Sequence, residues 1–246
     1  MQDVGERQQG YRRIHGEPAA LGIKVAASTV WEIQKQHGIA PSPERAHTAW
    51  ADFLRDQASA LLACDLFEVR TLTGARLYVA AVIEHATRRV RIVGTTAHPT
   101  GAWVTQLARN LVMDLEDSGR KARFLIHDRD AKFTAAFDAV LSEAGVQVVL
   151  SGIRVPRMNS VMERWIQTCR HELLDRTLIW NRRHLLHALR EFETFYNGHR
   201  LHRALHQAAP LRPLPHPSAT QAEITRLNIR RRDRLGGVLR EYQHAA

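Results

Sequence analysis

The stretch Leu61-Leu62-Ala63-Cys64-Asp65-Leu66-Phe67-Glu68-Val69 decides the fold. It is apolar almost throughout and reads as a strand, yet it carries Asp65 in mid-run. Side chains alternate along a strand, so Asp65, Phe67 and Val69 share one face and Leu66 and Glu68 the other. A carboxylate inside such a strand is costly to bury unless it is paired or binds a metal.

Two further acids stand in comparable settings. Asp128 ends the run Arg123-Phe124-Leu125-Ile126-His127-Asp128, at the C-terminal end of an apolar strand, where α/β and mixed sheets place their sites. An ordinary strand-ending turn would also suit an Asp there. After 34 intervening residues comes Glu163, in Met158-Asn159-Ser160-Val161-Met162-Glu163-Arg164-Trp165, which has helical periodicity. At about 100° per residue, Asn159, Glu163, Gln167 and Arg170 fall within about 80° of one another. Met158, Met162, Trp165, Cys169 and Leu173 form a separate core stripe. Taken alone, Glu163 reads as a solvent-exposed helix residue. Together, two strand-borne Asp and one helix-borne Glu can hold divalent cations through oxygen ligands. Glu68 and Asp130 are the nearest competing acids.

Working outward, Arg76–Ile83 and Val90–Thr96 are rich in β-formers, with turns at Thr73-Gly74 and Thr87-Arg88-Arg89. Thr100–Asp117 is a long helix with Trp103, Leu107, Leu111 and Leu115 at helical spacing. A strand over Arg123–His127, a helix over Thr134–Ala144 and a strand over Val146–Leu150 follow. Arg182–Tyr196 is an amphipathic helix with Leu185, Leu189, Phe192 and Tyr196 on one stripe. The order β-β-β-α-β-α-β, then helices, predicts an α/β fold: a mixed five-stranded sheet flanked by helices.

The ends differ from this core. Met1 to Gly10 is polar, and Tyr11 to Ile39 reads as two short helices joined near Gly22-Ile23-Lys24-Val25, the second N-capped by Ser28. With Arg12, Arg13, Lys24 and Lys35, this is either a small helix-turn-helix DNA-binding segment or a plain helical hairpin. Pro18 shortens or kinks the first helix. Pro41-Ser42-Pro43 marks a linker, so the expected segments are 1–47, a core over 48–209 and a basic C-terminal tail over 210–246. The tightest basic cluster in that tail is Arg230-Arg231-Arg232, either a solvated charge run or a phosphate-contacting segment.

Composition narrows the function. The 246 residues are 44% hydrophobic, with a formal net charge of +10 and a pI of about 10.5. That excess suggests a polyanionic partner, most often nucleic acid. Cys64 and Cys169 lie in unrelated contexts and form no Cys-x-x-Cys pair, which argues against structural zinc. The apolar run Leu77–Ile83 is too short to span a bilayer, and no signal peptide is visible, so a soluble cytoplasmic, nucleoid-associated protein is expected.

Asp65-Leu66-Phe67, Ile126-His127-Asp128-Arg129-Asp130 and Asn159-x3-Glu163 resemble the D-D-E catalytic core of bacterial insertion-sequence transposases and retroviral-type integrases. Arg170, seven residues after Glu163, matches a basic residue these transposases carry. Tyr196-Asn197-Gly198-His199-Arg200-Leu201-His202-Arg203-Ala204-Leu205 resembles the signature that closes their core. Gly10-Tyr11-Arg12-Arg13-Ile14-His15 resembles the start of their second N-terminal helix-turn-helix unit. The chain departs from the pattern in beginning almost at that point, as if N-terminally shortened, and in carrying Asp130 where many relatives have Gly.

The resemblance implies a ribonuclease-H-like core that catalyses cleavage and strand transfer on DNA. Asp65, Asp128 and Glu163 would hold two Mg²⁺ or Mn²⁺ ions, with Asp65 bridging. Asn159, Gln167, Arg170 and the Arg230–Arg232 cluster would contact DNA, with the chain acting as a homo-oligomer on element ends and target. Two alternatives stand beside it: a catalytically idle DNA-binding remnant, and a ribonuclease-H-like nuclease without strand transfer.

Overall fold

A computed structural model describes residues 26–36, 50–152, 156–214 and 229–244. The chain divides into two compact units, Met1–Phe53 and Leu54–Ala246. In the first, helix α1 covers Ala27–Gln36, close to the start expected at Ser28. The expected preceding helix, with Arg12, Arg13, Pro18 and Lys24, lies outside the described residues, as does Pro41-Ser42-Pro43. Helix α2 covers Trp50–Asp56, and the rings of Trp50 and Phe53 stack at 5.1 Å.

The second unit is built on a five-stranded sheet of β1 (Leu61–Arg70), β2 (Arg76–Glu84), β3 (Val90–Thr96), β4 (Phe124–His127) and β5 (Gln147–Leu150). Its strand order is β3-β2-β1-β4-β5. The first three strands are antiparallel neighbours, whereas β4 runs parallel to β1 and β5 parallel to β4. Antiparallel neighbours need only tight turns, and Gly74 at φ +82° closes the first. The parallel strands need crossovers, supplied by α3 (Gly101–Asp117) and α4 (Ala135–Glu143). This mixed sheet with flanking helices is the ribonuclease-H-like arrangement.

Strand alternation sorts the core onto two faces. Leu62, Cys64, Val82 and Leu125 pack with Val104, Ala108 and Leu111 of α3 and with Phe137 and Leu141 of α4. Gly94 permits α3 to press close to β3: a Cβ there would sit 2.9 Å from the Leu107 side chain and 3.3 Å from Trp103. The other face meets α5 (Ser160–Glu172) and α6 (Arg182–Gly198). Phe67 of β1 packs edge-on to Trp165 at 5.9 Å, and Trp165 packs likewise on Tyr196 at 6.4 Å. The stripe Leu185, Leu189, Phe192 and Tyr196 is buried, as its periodicity predicts.

Helix α6 also covers the sheet edge. Asn197, fully inside, accepts the Val90 N–H at 2.9 Å and donates to the Val90 carbonyl at 2.8 Å. Glu193 accepts the Ile92 N–H at 3.3 Å, and Arg182 donates to the Thr95 carbonyl at 3.4 Å. Side chains of one helix thereby satisfy the outer backbone groups of β3, which would otherwise be an open edge.

Within the C-terminal segment expected as a basic tail, residues 229–244 form a hairpin. Strands β6 (Ile229–Arg234) and β7 (Leu239–His244) pair antiparallel, with Arg231 opposite Tyr242 and Arg232 opposite Glu241. Leu239 and Glu241 are buried. Ion pairs, rather than an apolar alternation, hold this hairpin, and for that reason its sequence reads as a charge run.

Candidate active site

Register brings the two aspartates together. Ala63 of β1 lies opposite Ile126 of β4 in the parallel pair. Two residues further along each chain stand Asp65 and Asp128, on the same face of neighbouring strands. That face also carries Phe67, which packs on Trp165 of α5, so both carboxylates lie on the side that α5 covers.

Backbone groups orient each aspartate. Oδ1 of Asp65 accepts the Leu66 N–H at 2.7 Å, and Oδ1 of Asp128 accepts the Asp130 N–H at 3.0 Å. The end of β4 is fixed further by His127, whose buried ring packs at a tilt on Phe133 at 4.3 Å and contacts Asp138 at 3.0 Å through Nε2. Burial pushes the Asp65 carboxyl up to about 7, and the charges of Asp128, Glu163 and Asp130 push the same way against the Leu66 hydrogen bond. All three of those acids are therefore within electrostatic reach of Asp65.

Glu163 is exposed in the first turn of α5. Gln167 and Arg170 continue its face and are also exposed. Arg170 is docked on β1: Nη2 donates to the Glu68 carbonyl at 3.1 Å, and the guanidinium lies 5.7 Å from the centre of the Phe67 ring. This contact ties the Glu163 helix to the Asp65 strand.

Asn159 departs from the exposed row. It is buried, and its Nδ2 donates to the Cys64 carbonyl at 3.4 Å, beside Asp65. Residues Pro156–Asn159 form a 3₁₀ turn, and Asn159 precedes α5 as its N-cap with non-helical φ and ψ. A single helical wheel from Met158 therefore misplaces it. Its Oδ1 is buried without a hydrogen-bond partner, so the residue expected in the exposed row is instead an inward-facing acceptor next to the site.

The competing acids have other partners. Glu68 pairs with Arg70 at 3.4 Å and Arg76 at 3.8 Å. Asp130 pairs with Lys132 at 2.7 Å; burial alone would raise its carboxyl, but the Lys132 hydrogen bonds outweigh that and lower it. Arg230, Arg231 and Arg232 are exposed on β6. Arg231 pairs with Asp233 at 3.1 Å, and Arg232 approaches Glu241 at 3.5 Å.

Three carboxylates are a hard-oxygen donor set suited to Mg²⁺ or Mn²⁺. Among the described residues, no three or more His, Cys, Asp or Glu side chains are grouped closely enough to hold an ion as they stand. Like charges oppose a tight cluster of ionised carboxylates, and that repulsion contributes to the raised carboxyl of Asp65. Among the described residues no helix is long and apolar enough to cross a membrane.

The family model described as "Integrase core domain" matches residues 144–210, a span that holds Glu163, α5 and α6. Similar solved structures include the simian T-cell lymphotropic virus intasome in complex with PP2A regulatory subunit B56 gamma. It is 12% identical with a TM-score of 0.47, over 95% of this chain and 87% of that one. The HTLV-2 integrase catalytic core domain in complex with magnesium (trimeric form) is 11% identical with a TM-score of 0.38, over 57% and 86%. The catalytic core domain of BIV integrase is 16% identical with a TM-score of 0.40, over 56% and 84%. Among curated proteins no relative matches. The matched span carries Glu163, whereas Asp65 and Asp128 lie outside it.

Proposed function

We propose that this chain is a DNA transposase or integrase, cleaving and joining DNA strands with Asp65, Asp128 and Glu163. The observation that carries the reading is the register of β1 and β4, which sets Asp65 beside Asp128 on the face covered by the Glu163 helix. The three carboxylates would hold two Mg²⁺ or Mn²⁺ ions, which supply Lewis-acid stabilisation and an activated water or 3′-hydroxyl.

The residues of the chain do the rest. Asp65, raised to about 7 by burial and by the neighbouring acids, holds its proton for about half the time at neutrality and would have to lose it to serve as a cation ligand. The Leu66 and Asp130 N–H groups hold the two aspartates in fixed rotamers, so little reorganisation is needed. Gln167 and Arg170, exposed on the face of Glu163, are placed to meet DNA phosphates. No side-chain nucleophile is required, because the attacking group is water or a DNA hydroxyl. A net charge of +10 suits a polyanionic substrate, and the chain is proposed to act as a homo-oligomer on it.

The test is divalent-dependent nicking of DNA, followed by joining of a precut end. Joining distinguishes a transposase from a simple nuclease. DNA binding without nicking, even with cognate ends, assigns the chain to idle remnants.

A further inference from the structure

The motif Tyr196–Leu205 takes no part in the carboxylate site. Much of it instead lines a cavity of about 250 Å³, together with the turn between β2 and β3 and one flank of α5. The flank carries Ser160, Arg164 and Thr168, and is centred roughly 90° around the helix from Glu163, Gln167 and Arg170. The cavity thus adjoins the candidate active site along α5.

Its chemistry is one-sided. Arg88, Arg164, Arg200 and Arg203 line it with His202, and no described lining residue is acidic. Arg200 is already engaged, donating to both carboxylate oxygens of Glu172 at 2.7–3.1 Å. Arg88 differs: its Nη1 is buried without a hydrogen-bond partner. His202 Nε2 is likewise buried and unpartnered, its ring held edge-on to Tyr196 at 4.7 Å. Burial and the nearby Arg164 both weigh against the Arg88 cation. A buried guanidinium N–H without an acceptor is costly, and an incoming oxyanion would relieve it, whereas His202, lowered to about 4 by burial, is neutral near pH 7. Ser160, the first residue of the 13-residue helix α5, adds the positive end of that helix.

We propose that this cavity docks one phosphodiester of a DNA strand, through Arg88, Arg164 and Arg203, while a neighbouring stretch of the same DNA lies over Glu163 and Arg170. This rests on the reading that the chain works on DNA. DNA is favoured over a free phosphate because Arg164 and Gln167, one turn apart on α5, link the cavity to the exposed face of Glu163.

The test uses the full chain and a fluorescein-labelled duplex, titrated by anisotropy over a salt series in EDTA so that catalysis plays no part. Arg164→Gln/Arg203→Gln alters exposed side chains and keeps the fold, checked by circular dichroism; Arg88→Gln is the second variant. Arg109→Gln, on α3, is the control. Loss of one phosphate contact makes the slope of log K against log salt shallower by about 0.9, and that change is expected for the double variant and not for the control. A parent-like slope in the double variant overturns the proposal. If the parent binds no duplex while inorganic phosphate raises its melting temperature but not that of the double variant, the cavity is a free-anion site and the DNA assignment is overturned. A shallower slope in a protein that never nicks DNA with Mg²⁺ or Mn²⁺ upholds the docking site and removes the catalytic reading alone.

Discussion

Arg234 grips Glu241 across the C-terminal hairpin, with Nε 2.9 Å from Oε2 and Nη2 3.3 Å from Oε1. Glu241 is 1% exposed. His199 Nε2 lies 2.9 Å from the same carboxylate, and Arg234 also reaches Glu191 of α6 at 2.9 Å. The hairpin is thus tied to α6 by Arg234, which bridges the buried Glu241 and Glu191 of α6. Breaking one side of such a cluster leaves buried charge uncompensated, at a cost of about 3 kcal/mol or more. Glu241→Ala should release β6, and limited trypsin digestion should cut at Arg230–Arg232 many times faster than in the parent. Equal cleavage rates would show that the clamp does not hold the strand.

Asp65 makes the metal-free protein pH-sensitive. Its carboxyl stands at about 7 in the fold against an ordinary 3.8, so the folded state binds the proton more tightly than the unfolded chain. Between about pH 4 and 7 the unfolded state holds fewer protons, and stability falls as pH rises through that window. Asp65→Asn removes this loss. In EDTA at pH 8 it should be more stable than the parent by roughly 1–3 kcal/mol and should show a flatter urea-midpoint profile over that window. A variant that tracks the parent at every pH would contradict the electrostatic account of Asp65.

Asn197 closes the sheet edge by pairing both backbone groups of Val90. Asn197→Leu keeps the volume but leaves a buried N–H and carbonyl unpaired, a cost of roughly 2–4 kcal/mol. Asn197→Asp retains the acceptor but loses the donor and adds a buried charge. Urea denaturation should rank parent above both variants, with hydrogen exchange accelerated at Val90 in each. Unchanged exchange at Val90 would mean that the helix packs on β3 without these bonds.

Much of this was legible in the residues. The mid-strand Asp65 and the alternation around it fixed its face, and the spacing of Met162, Trp165 and Cys169 fixed the buried side of α5. The parallel pairing of β1 with β4 was not legible, because register in a parallel pair is set by long-range packing. Asn159 was misplaced because a 3₁₀ turn precedes α5. The hairpin was hidden because Ile-Arg-Arg-Arg-Asp-Arg has no apolar alternation; tertiary ion pairs to Glu241 and Glu191 supply what strand propensity does not. The cavity at Arg88 joins segments more than a hundred residues apart in the chain, as Arg88 and Arg203 illustrate.

The most direct measurement is nicking of supercoiled or end-mimicking DNA with Mg²⁺ or Mn²⁺ by the parent, Glu163→Gln, Asp130→Asn and Glu68→Gln. Glu163→Gln keeps its size and its exposed position but loses the charge proposed to hold a cation, so its rate should fall by at least about a hundredfold. Its DNA affinity in EDTA should stay near that of the parent. Asp130→Asn and Glu68→Gln should nick at close to the parental rate, because Lys132 and the Arg70/Arg76 pair already engage those acids. A Glu163→Gln variant as active as the parent, beside an inactive Asp130→Asn, would contradict the assignment of Asp65, Asp128 and Glu163 as the catalytic set.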